Sequence, residues 1–383
     1  MKPATPMPGP RAGMLVCICD PQIDAPANDN ATHRAPPFAL ALGFAFAVLA
    51  QTLASGILPL AGAALARDPH YATLPFAAML VGAALASFPA SFLGDAFGRR
   101  TGFALGASLG VGGGALLAVG LLKMQFTWVC LGALWLGMAQ GFSFFYRHEA
   151  AASAGRPAAA AAGVLCGGLL AALAGPTLAM GAEWLFSPFF LVGTAVLAAV
   201  AHTLSLAVAV LMAPNAAPRL REKVTLPLAA VLVPTLCGAL AWFGMSLLMA
   251  QAPLALLGCG VGEGAVFGFI ALHVAAMYAP AAPLAAFGGN ISPRLLALAG
   301  LGLVAAALML PAIQVLAPGL ELAGSLAWGI ALVMVGAGWS LATVGCTGWI
   351  YQRGIPSRLA LALHDGSLFL SAILGAVMAG RLL

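Results

Sequence analysis

Residues 74–122 read LPFAAMLVGAALASFPASFL, then GDAFGRR, then TGFALGASLGVGGGALLAVGLL. Two apolar runs flank the heptapeptide Gly94-Asp95-Ala96-Phe97-Gly98-Arg99-Arg100. Each run is about 20 residues long, the length a helix needs to cross the hydrocarbon of a bilayer. Neither alternates with a two-residue period, so helices are expected and not barrel strands. The heptapeptide reads as the turn between them. Its glycines permit a tight reversal, Asp95 can accept from a helix N-terminus or a nearby arginine, and Arg99 and Arg100 anchor the turn on one side.

The same pattern continues in both directions. Of 383 residues 62% are hydrophobic and only 7% are charged, a composition no water-exposed domain of this length could carry. Spans are expected at about 38–65, 74–93, 101–122, 126–146, 158–181, 187–213, 226–252, 263–286, 294–317, 323–350 and 359–383. The first run, from Phe38 to about Ala66, is too long for the apolar region of a signal peptide. Residues 1–37, rich in Pro, Asn and Asp, read as a disordered cytoplasmic tail. It carries Cys17 and Cys19, which read more readily as two inert thiols than as a metal-handling pair. With the N-terminus inside, thirteen of the 16 Lys and Arg residues fall on the inner side and three (Arg67, Lys123, Arg381) on the outer. Topology therefore accounts for the net charge of +5, and no nucleic-acid partner is implied. The 7 cysteines are odd in number and scattered, which excludes a disulfide framework.

The charged segment 214–225, with Arg219, Arg221, Glu222 and Lys223, reads as a cytoplasmic linker. It divides a six-helix bundle, 38–213, from a C-terminal bundle, 226–383. The expected class is an all-α multi-spanning membrane protein of two pseudo-symmetric bundles. About 11 spans are predicted where pseudo-symmetry would give twelve, so the twelfth is expected to be missing.

The heptapeptide resembles the loop signature of the major facilitator superfamily. Gly167-Gly168 and Gly175-Pro176 resemble its Gly-Pro packing motif, for which ordinary small-residue packing is an equal explanation. Four further segments are similar to the CcoA-type bacterial copper importers, a subgroup with a riboflavin-transporter branch nearby. They are Tyr71-Ala72-Thr73-Leu74-Pro75, Tyr146-Arg147-His148-Glu149, Gly338-Trp339-Ser340 and His364-Asp365. The resemblance implies the major facilitator fold and an inner-membrane importer that works by alternating access, supplying copper for cbb3-type cytochrome oxidase. Periplasmic or cytoplasmic copper chaperones would be its partners, beside the lipid bilayer.

Met245 and Met249 lie one turn apart on a helix, as do His273 and Met277, about 6 Å between Cβ atoms in each pair. Thioether and thiol favour Cu(I), and imidazole also suits copper. The methionine spacing also fits greasy core packing. The resemblance carries a binding role onto these four residues and places Cys259 where the subgroup has a cysteine. Together they predict a ladder: Cys259 captures the ion, Met249 and Met245 pass it inward, and His273 with Met277 hold it near the midplane. Copper is then the substrate, and no resident cofactor is required. Asp365, beside His364 in the eleventh span, is a proton-coupling candidate, since an acid within a membrane span suggests function. Its bland reading is a structural partner for Arg147 or for a loop backbone; Arg147 with His148 and Glu149 reads as an inner-face charge cluster locking one gate. Cys166 and Cys237 read as small buried hydrophobes, and His202 as a core histidine bonded to a neighbour. Gln51, Gln140 and Trp339 are weaker candidates for the cavity wall, and Glu263 for its mouth.

Two alternatives stand beside copper import. A carrier of an organic solute such as riboflavin would use the methionines for packing and stack Trp242, Phe243, Tyr278 or Trp339 on a ring. A non-transporting metal sensor or assembly factor would bind its ligand without moving it. No catalytic constellation argues for an enzyme, and no Gly-x4-Gly-Lys-Ser/Thr loop argues for ATP.

Overall fold

The computed structural model describes residues 37–212, 225–226, 228–316, 324–352 and 354–382. The tail with Cys17 and Cys19, the linker with Arg219, Arg221, Glu222 and Lys223, and Arg353 lie outside the described residues. So do the side chains of Asp95, Glu263 and Arg381.

The first half contains α1 (Pro37–Leu65), α2 (Leu74–Ala96), α3 (Gly98–Leu122), α4 (Phe126–Ser143), α5 (Phe145–Ser153), α6 (Pro157–Cys166), α7 (Gly168–Leu185) and α8 (Val192–Leu211). The second contains α9 (Leu228–Gly258), α10 (Glu263–Tyr278), α11 (Ala281–Phe287), α12 (Pro293–Leu316), α13 (Gly324–Tyr351) and α14 (Arg358–Leu382). Among the described residues, 11 helical segments are long and apolar enough to cross a membrane. The fourth joins α4 to α5, and the fifth joins α6 to α7. These spans follow the expected ones closely. The fourth, fifth and seventh run further, to Ser153, Leu185 and Gly258; the sixth and eighth start later, at Val192 and Gly268; and the ninth ends earlier, at Pro311.

At the heptapeptide only Phe97 separates α2 from α3. Gly98 has φ +82°, a left-handed conformation that is costly for a residue with a side chain and free for glycine. A Cβ on Gly94 would meet open space. The expectation that both glycines make the turn therefore narrows to Gly98. The break between α6 and α7 falls at Gly167-Gly168. A side chain on Gly168 would run into the Tyr278 ring of α10, so a bare backbone here lets helices of the two halves approach.

The halves meet where α2 packs along α14, α6 against α11 and α13, and α7 against α10. Close to the end that carries the heptapeptide, here called the motif end, Ser91 Oγ donates to the Arg358 carbonyl at 2.7 Å. The two-residue strands β1 (Thr225–Leu226) and β2 (Ile355–Pro356) pair in parallel beside the start of α14.

One carboxylate caps the start of a helix. Glu183 on α7 accepts from the backbone N–H groups of Leu191 (3.0 Å) and Thr194 (2.7 Å) and from the Thr194 hydroxyl (2.6 Å). It satisfies donors at the start of α8 that have no partner within the helix, and sets negative charge at the helix's positive end. Glu183→Ala should lower stability in detergent by about 2 kcal/mol. Glu183→Gln should recover part of the loss, with thermal unfolding as the measurement.

Candidate functional site: an aromatic cage beside a buried ion pair

The charge cluster bridges the halves. Arg147 on α5 is fully buried, and its Nη2 donates to Asp365 Oδ1 on α14 at 2.5 Å. Its Nε donates to Thr347 Oγ1 on α13 (3.1 Å) and its Nη1 to the Phe144 carbonyl (3.1 Å). His148 Nε2 lies 3.2 Å from each Asp365 oxygen. His364 Nε2 lies 4.0 Å from Oδ1, and its Nδ1 meets Thr235 Oγ1 of α9 at 2.9 Å. A buried charge of this kind survives only if paired and hydrogen-bonded, and both ions here are. Asp365 thus has the geometry of a structural partner for Arg147. Proton coupling at the same carboxylate is a separate matter of role.

Glu149 takes another path. Its Oε1 accepts from Arg99 Nη1 at 3.0 Å, tying α5 to the heptapeptide at the start of α3. Arg100 is exposed. A cavity of about 90 Å³ opens here, lined by Arg99, His148, Glu149, Tyr351 and Arg358 among others.

One to two helical turns from the ion pair, five helices and the α4–α5 junction each contribute a buried ring. The rings are Phe44 (α1), Phe144 (the junction), Trp242 (α9), Tyr278 (α10), Trp339 (α13) and Phe369 (α14), none more than 5% exposed. Phe144 lies edge-on to Trp242 at 5.3 Å and to Phe369 at 5.5 Å between centroids. Trp242 meets Trp339 at 5.3 Å, and Trp339 meets Tyr278 at 5.9 Å. Such tilted and edge-on pairs suit the ring quadrupoles. Phe369 falls halfway along the α14 span Arg358–Ala379, so the cage sits near mid-span. The Nε1 atoms of Trp242 and Trp339 are buried without a hydrogen-bond partner, as are Gln140 Oε1, Ser340 Oγ and Thr343 Oγ1. Unpaired buried donors are rare and ask for an explanation.

Three of the four aromatics named for a ring-stacking carrier, Trp242, Tyr278 and Trp339, fall in this cage. Phe243 is half-buried and outside it, its carbonyl turned toward Gly375 of α14. Phe44, Phe144 and Phe369 escape sequence reasoning, because a phenylalanine in an apolar span carries no mark of its direction. Thr235 and Thr347 escape it for the same reason.

The soft-ligand candidates sit differently. Met245 packs against both the central cluster and a second apolar cluster of α9, α10, α12 and α13, Met249 against the second, and Met277 against the central one. His273 is buried, and its Nδ1 lies 2.8 Å from the Leu332 carbonyl of α13. Cys259 is exposed, just past the end of α9, and its sulfur would meet a Cβ on Gly324. Contact between α9 and α10 is slight, each packing chiefly on α13 or α14. Among the described residues no group of three or more His, Cys, Asp or Glu could hold a metal ion. Cys237 is buried beside Cys346, and Cys166 is half-buried. His202 departs from expectation: both ring nitrogens lack a partner. Its ring borders a cavity of about 10 Å³ with Tyr146 and Ser205. Gln51 Nε2 meets Met79 Sδ at 3.6 Å.

No family model matches the chain. It is 30% identical over 343 residues to the riboflavin transporter RfnT of Brucella anthropi, covering 85% of this chain and 83% of that one. Its fold is similar to that of the fucose:proton symporter FucP of E. coli, with a TM-score of 0.60, 15% identity, and 91% and 90% of the two chains covered. It is similar also to the proton:xylose symporter XylE, with a TM-score of 0.68, 12% identity, and 90% and 88% covered. Eleven spans among the described residues, packed in two halves with the major facilitator fold, and a relative of this identity over most of both chains lead to one assignment: the chain belongs to the family of that transporter, as a membrane-spanning transporter of small solutes.

Proposed function

We propose that the protein carries riboflavin, or a flat heteroaromatic solute like it, across the bacterial inner membrane by alternating access. The observation that carries this reading is the cage: six buried rings from both halves with two indole N–H donors left unpaired. A flavin ring is flat and aromatic, with carbonyl oxygens and nitrogens along its edge. It would stack between the rings and accept from Trp242 and Trp339. The name of the 30% identical relative supports the same solute. The rings touch one another in this structure, so a solute must part those of the first half from those of the second. That movement is the start of a rocking cycle about a mid-span site.

The excess of basic residues on one side favours a cytoplasmic motif end and N-terminus. Asp365 is the only fully buried carboxylate among the described residues. With His148 and His364 beside it, it is the group we propose for proton coupling. The motif residues Gly98 and Arg99, with Glu149, would close that end while the opposite end is open.

Copper import, with chaperone partners and a role in oxidase assembly, has less support. Its three methionines pack among apolar side chains, and one His273 nitrogen is already engaged. One experiment separates the two readings. Cells lacking their own flavin importer, expressing the full chain, are given labelled riboflavin and, in parallel, radioactive copper. Saturable riboflavin uptake, unchanged in a Met245→Ala, His273→Ala double variant, is expected. Copper uptake lost in that variant, with no flavin uptake by wild type, would replace this reading with the copper one.

A further inference from the structure

We infer that Phe144 couples occupancy of the aromatic cage to the ion pair between the halves; this rests on the flavin-carrier reading of the cage. Phe144 stands at the junction of α4 and α5, the residue that belongs to neither. Its ring meets four cage partners: Phe44 at 6.1 Å, Trp242 at 5.3 Å, Trp339 at 6.4 Å and Phe369 at 5.5 Å. The Arg147 guanidinium carbon lies 5.0 Å from the same ring centroid, and Arg147 Nη1 donates to the Phe144 carbonyl. Among the ring contacts of the described residues, Phe144 alone joins the cage to Arg147.

Trp242, Trp339 and Phe369 belong to the second half and Phe144 to the first. A flat solute that parts them displaces the Phe144 ring. That ring and its carbonyl supply two of the four interactions that orient the guanidinium; Thr347 and Asp365 supply the others. A desolvated cation held over a ring loses attraction as the ring moves, and the planar guanidinium loses its alignment with Asp365. Filling the cage thus loosens the contact that holds the motif end closed. The linkage is reciprocal, so loosening Arg147 must change solute affinity. Phe144 is a positioning residue in this scheme.

The test is a double-substitution cycle on the purified full chain. Riboflavin affinity is read from quenching of flavin fluorescence. Arg147→Lys keeps the charge and removes the planar fork. With Phe144 present, it should change affinity on the order of 5-fold or more. In the Phe144→Leu background the same change should shrink below about 2-fold. Phe144→Tyr, which keeps the ring, should restore it and guards against a Leu variant that folds poorly. Equal factors in all backgrounds, or no effect of Arg147→Lys beside Phe144, would overturn the proposal. A second cycle needs no solute. Melting temperatures of Trp242→Ala and Arg147→Lys should be non-additive with Phe144 and additive with Phe144→Leu; additivity in both would sink the coupling. If riboflavin fails to bind wild type, the flavin reading fails, and this second cycle decides the coupling by itself.

Discussion

Asp365→Asn is expected to abolish uptake and to lower stability by about 3–5 kcal/mol, the cost of leaving a buried ion without its partner. Arg147 has no exposed surface through which water could replace the lost carboxylate. Thr347 and the Phe144 carbonyl remain as contacts, but neither carries charge. Arg147→Met alone should cost a similar amount, because Asp365 would then rely on His148 and His364. Combining Arg147→Met with Asp365→Leu removes both charges and puts an apolar side chain at each position. The double variant should therefore be more stable than either single one, approaching wild type, since apolar replacement of a whole buried pair is often neutral or favourable. Uptake should stay absent, because the Arg147–Asp365 contact between α5 and α14, which we propose as the gate, would be gone. Thermal unfolding in detergent, run beside uptake in cells, measures both. Single and double variants of equal stability would show that the two charges are not coupled and that the pair is no lock.

Trp339→Ala should be the most damaging change in the cage. Trp339 is the largest of the fully buried side chains and touches Trp242, Tyr278 and Phe144. Its loss removes dispersion contacts from two helices of the second half and one junction of the first. A loss of about 3–5 kcal/mol in stability is expected, together with loss of riboflavin uptake. Trp339→Phe and Trp242→Phe separate packing from recognition. Each keeps a ring but deletes an indole N–H that has no partner in the protein. Losing an unpaired donor costs the empty protein little. It should weaken riboflavin binding about 10-fold, because a buried acceptor on the solute is then left unsatisfied. Fluorescence titration of the purified variants gives the answer. Unchanged affinity in both would mean that the indole donors face away from the solute.

Much of this protein is legible in its sequence, and the boundary of what is legible has a physical origin. Hydrophobic length is a local property: each run of about 20 apolar residues must satisfy its own backbone hydrogen bonds, so it announces a span by itself. The turn 94–100 is equally local, since Gly98 takes a positive φ that few residues tolerate. The helix-spaced Met245 and Met249 are local as well, yet spacing along one helix does not say what faces it. The structure surrounds them with apolar side chains. Arg147 and Asp365 stand out as costly polar residues, but they are 218 positions apart, and no spacing rule links such a pair. The cage is hidden more thoroughly. In a helix that is apolar all round, no pattern separates the side facing lipid from the side facing protein. Phe144 reads in the sequence like Phe88 or Phe92, which are exposed. Spans, turn and basic-residue bias are therefore settled by the sequence by itself. Which rings converge at mid-span is decided only by the packing of the two halves, and so is the choice of Arg147 over a loop backbone as the partner of Asp365.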